Sequence, residues 1–228
     1  MARSARRCGP EPAAATAFVR SCTRLRSPPL LPEIVLHLAD EPYALWERTE
    51  AAAGQSPLPV PFWAFPWAGG TALARFLLDH PGRAAGQTVL DLASGSGLVA
   101  IAAALAGAAA VTANEIDPRA LAAIALNAGV NGVTLGLAPG DLLDGGCGPA
   151  TLVLAGDACY ERSLAARLAG FLARARAAGA AVLLGDPGRA YLPQRGFEPV
   201  ASYRVPTWPG LEDAGVKTAT VWQPARPC

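Results

Sequence analysis

A carboxylate, two glycines and a helix start stand together in Asp91-x-x-x-Gly95-x-Gly97-Leu98. Val89-Leu90-Asp91-Leu92 reads as a strand, Ala93 to Gly97 as a tight turn, and the apolar run from Leu98 to Leu105 as a helix. Gly95 and Gly97 let the backbone come close to a ligand, and the first amides of the helix present their hydrogens to it. Ser96 lies between the two glycines, and Asp91 adds an acceptor just ahead of the turn. The same residues fit a dinucleotide fingerprint as Gly95-x-Gly97-x-x-Ala100, which alone is a weak signal. Asp91 argues against a pyrophosphate, because a carboxylate there repels the phosphates that a helix N-terminus attracts. The chemistry favoured is capture of a cationic nucleoside lacking phosphate. A glycine-punctuated turn with no ligand is the plainer alternative.

More acids stand where later strands end. Residues 109–113 read as a second strand closing in Asn114-Glu115-Ile116-Asp117-Pro118, and Glu115 lies 20 residues beyond Gly95, where an acid can take both ribose hydroxyls. Asp117 before Pro118 is a helix N-cap with proline at the first helical position. A third strand, 133–137, closes at Gly140-Asp141; Asp141 is a candidate acceptor for an adenine amino group and equally well a turn residue. The fourth strand, 151–155, runs into Gly156-Asp157-Ala158-Cys159-Tyr160. In an open α/β sheet the carboxyl ends of the strands line the crevice, which makes Asp157 and Tyr160 candidates for substrate contact. Alternatively, Asp157 caps the helix beginning near Ser163 or ties down the Gly156 turn. Trp67, in the aromatic stretch 61–70, either walls the cofactor cleft with Gly69-Gly70 or packs the core.

These residues need a scaffold of alternating strands and helices. The 228 residues suit one α/β domain, and the net charge of +1 offers no field for nucleic acid or anionic membrane. Residues 1–30, rich in Arg, Ala and Pro, predict a flexible tail; 31–81 predict a helical extension, with helices between Pro32 and Arg48. His37 and His80 read as helix-surface residues. The charge-free run from Leu92 to Asn114 has the length of a membrane span, but its serines and glycines favour a buried helix followed by a buried strand. Residues 164–177 predict a helix, 180–184 a fifth strand, and 200–205 with 217–222 an antiparallel hairpin joined through Trp208-Pro209-Gly210. Five scattered cysteines without a C-x-x-C pair suggest neither a disulfide framework nor a zinc site and fit a reducing cytoplasm.

Five parallel strand–helix units with a terminal hairpin resemble the plan of class I methyltransferases: a mostly parallel seven-stranded sheet with helices on both faces. The chain is similar, over residues 31 to 223, to the lysine methyltransferases of the electron transfer flavoprotein beta subunit in their bacterial form. The residues that carry this are Pro32-Glu33-Ile34, Trp63-Ala64-x-x-Trp67-x-Gly69-Gly70, Arg75-x-Leu77-Leu78-Asp79, Val89-Leu90-Asp91-Leu92, Asn114-x-Ile116-Asp117-Pro118, Gly185-Asp186-Pro187-Gly188-Arg189 and Thr218-x-Thr220-Val221-Trp222. Asp157-x-x-Tyr160 matches the wider group of related lysine methyltransferases. Ala68 departs from the family's proline and Glu115 from its aspartate; neither change removes a chemical group. The resemblance implies S-adenosylmethionine as cofactor, held by Trp67, Asp91, Gly95, Ser96 and Gly97 together with Glu115, Asp141 and Gly156. It also implies Asp157 and Tyr160 as the catalytic pair, no metal, and the flavoprotein beta subunit as partner. A cytoplasmic monomer is expected ahead of a mitochondrial protein, with no nucleic acid and no membrane. A small-molecule N-methyltransferase and a noncatalytic cofactor-binding protein stand as alternatives; an adenine methyltransferase of nucleic acid is disfavoured by the prolines missing from Asp157–Tyr160 and by the near-zero charge.

Overall fold

The computed structural model describes residues 11–54, 56–58, 60–193, 196–208 and 215–225. In chain order the elements are α1 (Pro12–Cys22), β1 (Arg24–Arg26), β2 (Leu36–Leu38), α2 (Pro42–Ala53), α3 (Ala68–Asp79), β3 (Thr88–Leu92), α4 (Leu98–Leu105), β4 (Ala110–Glu115), α5 (Pro118–Val130), β5 (Gly136–Pro139), β6 (Leu152–Gly156), α6 (Arg162–Ala177), β7 (Ala181–Asp186), β8 (Phe197–Pro206) and β9 (Val216–Pro224). The main sheet has the order β5-β4-β3-β6-β7-β9-β8. Strands β3 to β7 run parallel, and β9 pairs antiparallel with both β7 and β8. The expected seven-stranded, mostly parallel sheet with a C-terminal antiparallel hairpin is therefore present; Pro209 and Gly210 of the hairpin's connection lie outside the described residues.

Side-chain alternation sends successive strand residues to opposite faces and so divides the core in two. Val89, Leu152, Leu154 and Leu183 join the cluster made by α3, α4 and α5, while Leu90, Leu92, Val153 and Val182 join the one made by α6. With both faces covered, the central strands read as nearly unbroken apolar runs, which Asp91 interrupts within β3 and Asp186 ends in β7. The charge-free stretch after Leu92 folds as the buried α4 and then β4, as anticipated. No helix among the described residues is long and apolar enough to cross a membrane.

The N-terminal region departs from expectation. Residues 12–26 are not a flexible tail but form α1 and β1, with Ala15 and Val19 buried against the core. Between Pro32 and Arg48, helix forms only from Pro42; ahead of it lies β2, paired antiparallel with β1. The fully buried Leu36 and Leu38 favour this strand. His37 is a buried residue of β2 whose Nδ1 meets the Thr23 hydroxyl at 3.0 Å, rather than a helix-surface group. The other edge of β2 and the residue before it are satisfied by side chains of Asn127 in α5 and of Asn131, which follows that helix. Asn131 Oδ1 accepts from the Val35 amide at 2.9 Å and Asn127 Oδ1 from the His37 amide at 2.7 Å. Asn127 then donates through Nδ2 to the Ser96 carbonyl at 2.8 Å, tying this N-terminal unit to the turn after β3.

Candidate active site

The glycine turn predicted after Leu92 is built as expected. Gly95 and Gly97 adopt φ of +56° and +82°, in the left-handed region that suits glycine, and a Cβ on Gly97 would also lie 3.2 Å from Ile124 Cγ2. Ser96 is buried, its carbonyl held by Asn127. Asp91, 1% exposed, accepts through Oδ2 from the Ser94 hydroxyl and from the Ala100 amide at 3.2 Å. Ala100 is the third residue of α4, whose N-terminus has no cap of its own, so the strand acid serves as one. Its Oδ1 is buried without a hydrogen-bond partner. Burial pushes this carboxyl up to about 7, against the pull of its two hydrogen bonds.

Glu115 ends β4 beside that turn. Its Oε2 accepts from the Gly95 amide at 3.0 Å, and its Oε1 from the Ile116 and Asp117 amides at 2.7 and 3.3 Å. Of roughly four lone-pair sites on a carboxylate, three are taken, which leaves room for one hydroxyl donor rather than the two anticipated. Burial raises its pKa. Asp117 caps α5 through the Arg119 amide, as its sequence setting suggests. Asp141 accepts from the Leu143 amide at 2.9 Å, a turn contact, and pairs with Arg167 at 2.8 Å, which holds its carboxyl below the usual range.

At the end of β6 the structure assembles more than the sequence foretold. Asp157, in the left-handed region at φ +56°, does not cap the helix near Ser163. Its amide donates to Gly185 O at 2.8 Å, and its Oδ2 accepts from the Gly70 amide at 2.6 Å, capping the uncapped N-terminus of α3. Its Oδ1 accepts from Arg189 Nη2 and Nε at 2.7 and 3.2 Å. Burial pushes the carboxyl up to about 6, with Arg189 opposing. Such close approach needs glycine: a Cβ on Gly69 would stand 2.3 Å from Gly185 O, and one on Gly156 2.7 Å from the Gly70 Cα. Gly156 thus has a packing reason of its own, apart from any cofactor contact. Tyr160 is 46% exposed at the rim. Its ring lies 5.1 Å from that of Phe62, which in turn lies 5.6 Å from that of Trp67. Trp67 donates to the Phe62 carbonyl at 2.8 Å, and the Phe62–Trp63 turn passes beside Gly95. The aromatic stretch therefore borders the glycine turn.

Sequence reasoning did not assign Asp186, Arg189, Phe62 or Asn127. The Gly185–Arg189 run was visible as a family marker, but nothing local shows that its arginine reaches Asp157, 32 residues back. Asp186 holds the Gly188 and Arg189 amides at 2.7 and 2.6 Å, while its Oδ2 is buried without a hydrogen-bond partner.

The family model described as ribosomal protein L11 methyltransferase matches residues 69–156. A solved magnesium protoporphyrin IX methyltransferase from Synechocystis PCC 6803 with bound SAH superposes at a TM-score of 0.51 and 15% identity, covering 81% of this chain and 96% of that one; the likeness is one of fold. The electron transfer flavoprotein beta subunit lysine methyltransferase of Xenopus laevis is 39% identical over 211 residues, 90% of this chain and 85% of that protein. The protein of the same name from Homo sapiens is 36% identical over 214 residues, 90% and 80% of the two chains. Identity at that level over nearly the whole of both chains places this protein in the family of electron transfer flavoprotein beta subunit lysine methyltransferases.

Proposed function

We propose that the chain transfers a methyl group from S-adenosylmethionine to a lysine side chain of the electron transfer flavoprotein beta subunit. The observation that carries this reading is the buried, unsatisfied Asp91 oxygen at the head of the glycine turn. A buried carboxylate oxygen with no partner is costly, and a cationic ligand relieves it, which a pyrophosphate cannot. When bound, the cofactor supplies an electrophilic methyl on its sulfonium. Asp91 and the amides of the glycine turn hold its methionine end, and Glu115 has one acceptor site left for a ribose hydroxyl. Phe62, Trp67 and Tyr160 form an aromatic row beside the glycine turn, along which the acceptor side chain would lie. Deprotonating a lysine of ordinary pKa at neutral pH costs roughly 4.6 kcal/mol, and apolar aromatic surroundings lower that by disfavouring the ammonium. Asp157 and Tyr160 orient the amine, with water taking the proton.

We place the reaction in the cytoplasm and read the enzyme as a monomer; the free thiols of Cys22, Cys147 and Cys159 support a reducing setting. Labelled cofactor is incubated with the enzyme, purified flavoprotein beta subunit and cell extract, and the products are resolved by mass spectrometry. Label on lysines of the beta subunit supports the proposal; label confined to small metabolites overturns it.

A further inference from the structure

We propose that Arg189, held in place by Asp186, is a positioning residue for methyl transfer: it fixes and neutralises the Asp157 carboxylate, so that the acceptor lysine is received as a neutral amine. This rests on the reading that Asp157 orients that amine.

The geometry is a relay of three groups. Asp186 ends β7, and its Oδ1 gathers the Gly188 and Arg189 amides, which fixes the loop that carries the arginine. The guanidinium returns across the sheet edge to Asp157, with its carbon 5.6 Å from the centroid of the Trp67 ring. Two of its N–H groups converge on Asp157 Oδ1, and the Gly70 amide occupies Oδ2. Oδ1 is therefore filled, and only one lone-pair site, on Oδ2, is left for an incoming donor. That remaining site accepts a single N–H from a carboxylate whose charge is already balanced. An ammonium arriving beside an isolated carboxylate would be stabilised by it, and the nucleophilic lone pair would be lost. Arg189 removes that stabilisation while leaving the hydrogen-bond acceptor in place.

The other charged or titratable groups around the pair are Asp186 on β7, Cys159 and Tyr160 in the loop after β6, Glu161 at the start of α6, and Glu115 on β4, which acts on Tyr160. Asp157 is driven by burial towards its neutral form, and Arg189 opposes this, so the arginine also keeps the carboxylate able to accept.

Single-turnover methyl transfer to the flavoprotein beta subunit, at saturating cofactor, is followed from about pH 6 to about pH 10, below and across the ordinary lysine pKa. In Arg189→Gln the acid limb moves up by about one pH unit and the rate at pH 7 falls about tenfold, while the Kd for the cofactor is unchanged. Arg189→Lys restores the limb because the charge stays. Asp186→Asn, which keeps an acceptor for the two amides but removes a negative charge, moves the limb the opposite way. This variant also guards against failure of the glutamine variant to fold. Unmoved limbs in the folded variants overturn the proposal. Loss of melting temperature with a normal rate per folded molecule assigns the relay to stability alone and also overturns it. Absence of transfer by the unaltered chain overturns the functional reading beneath it.

Discussion

Replacing Asp91 by Asn removes one negative charge from a place that water does not reach, and keeps an oxygen for the Ser94 hydroxyl and the Ala100 amide. Asp91 has a folded-state pKa above its unfolded value, so the folded chain binds its proton more tightly than the unfolded chain. Its contribution is favourable below the unfolded value and is lost as pH rises through the folded one. The pKa rises from 3.8 to about 7, a loss of about 4 kcal/mol between about pH 4 and pH 7. Asn does not titrate and escapes that loss, but its amide hydrogens take the position of the unpartnered Oδ1 and cost about 1–2 kcal/mol. The ligand-free Asp91→Asn protein is therefore expected to be about 2 kcal/mol more stable than the parent at pH 8, with the advantage gone near pH 4. Urea unfolding across this range, with and without S-adenosylmethionine, measures both sides of the exchange. Added cofactor should stabilise the parent strongly and the variant little. A variant less stable than the parent at pH 8, or one with the parent's pH slope, would refute the claim that Asp91 is ionised, buried and short of a partner.

Glu115→Ala should weaken cofactor binding by about 1–3 kcal/mol by calorimetry, since the Gly95, Ile116 and Asp117 amides lose their acceptor as well as the ribose hydroxyl; an unchanged dissociation constant assigns Glu115 to turn geometry alone. Asp157→Asn should cut single-turnover transfer at least about tenfold and also lower the melting temperature, because Arg189, itself only 21% exposed, loses its counter-ion; a normal rate in the folded variant removes Asp157 from the chemistry. Gly69→Ala should abolish soluble folded protein, since its Cβ cannot stand 2.3 Å from a backbone oxygen of β7; a melting temperature like the parent's would contradict the packing of α3 on the strand ends.

Much of this was legible because the signals were local. The strand, glycine turn and helix around Asp91 fall within a dozen residues, and the apolar runs of β6 and β7 reflect burial on both faces. What escaped depends on distant partners. Residues 24–26 and 36–38 are too short for periodicity to show, and each is a strand only because the other pairs with it. Asn127 and Asn131 read as the fraying end of a helix, yet they serve residues 90 and 96 positions earlier. Asp157 was recognised as an acid at a strand end, but its role as a cap for α3 depends on glycines at 69, 70, 156 and 185 that let a helix and two strands nearly touch.

The two asparagines that complete β2 also impose a timetable on synthesis. Val35 and Asn131 are separated by 96 residues, which at roughly 5–20 residues per second take roughly 5–20 s to emerge. Through that interval one edge of an apolar strand is open, the kind of edge that pairs with other chains. The closing groups lie on and just after the same helix whose Asn127 fixes the glycine turn, so the edge is sealed in the step that sets the cofactor loop. A nascent chain that stalls before α5 is thus both unprotected and without the contact that fixes the cofactor loop, and chaperone demand should peak there rather than at the local pairing of the C-terminal hairpin.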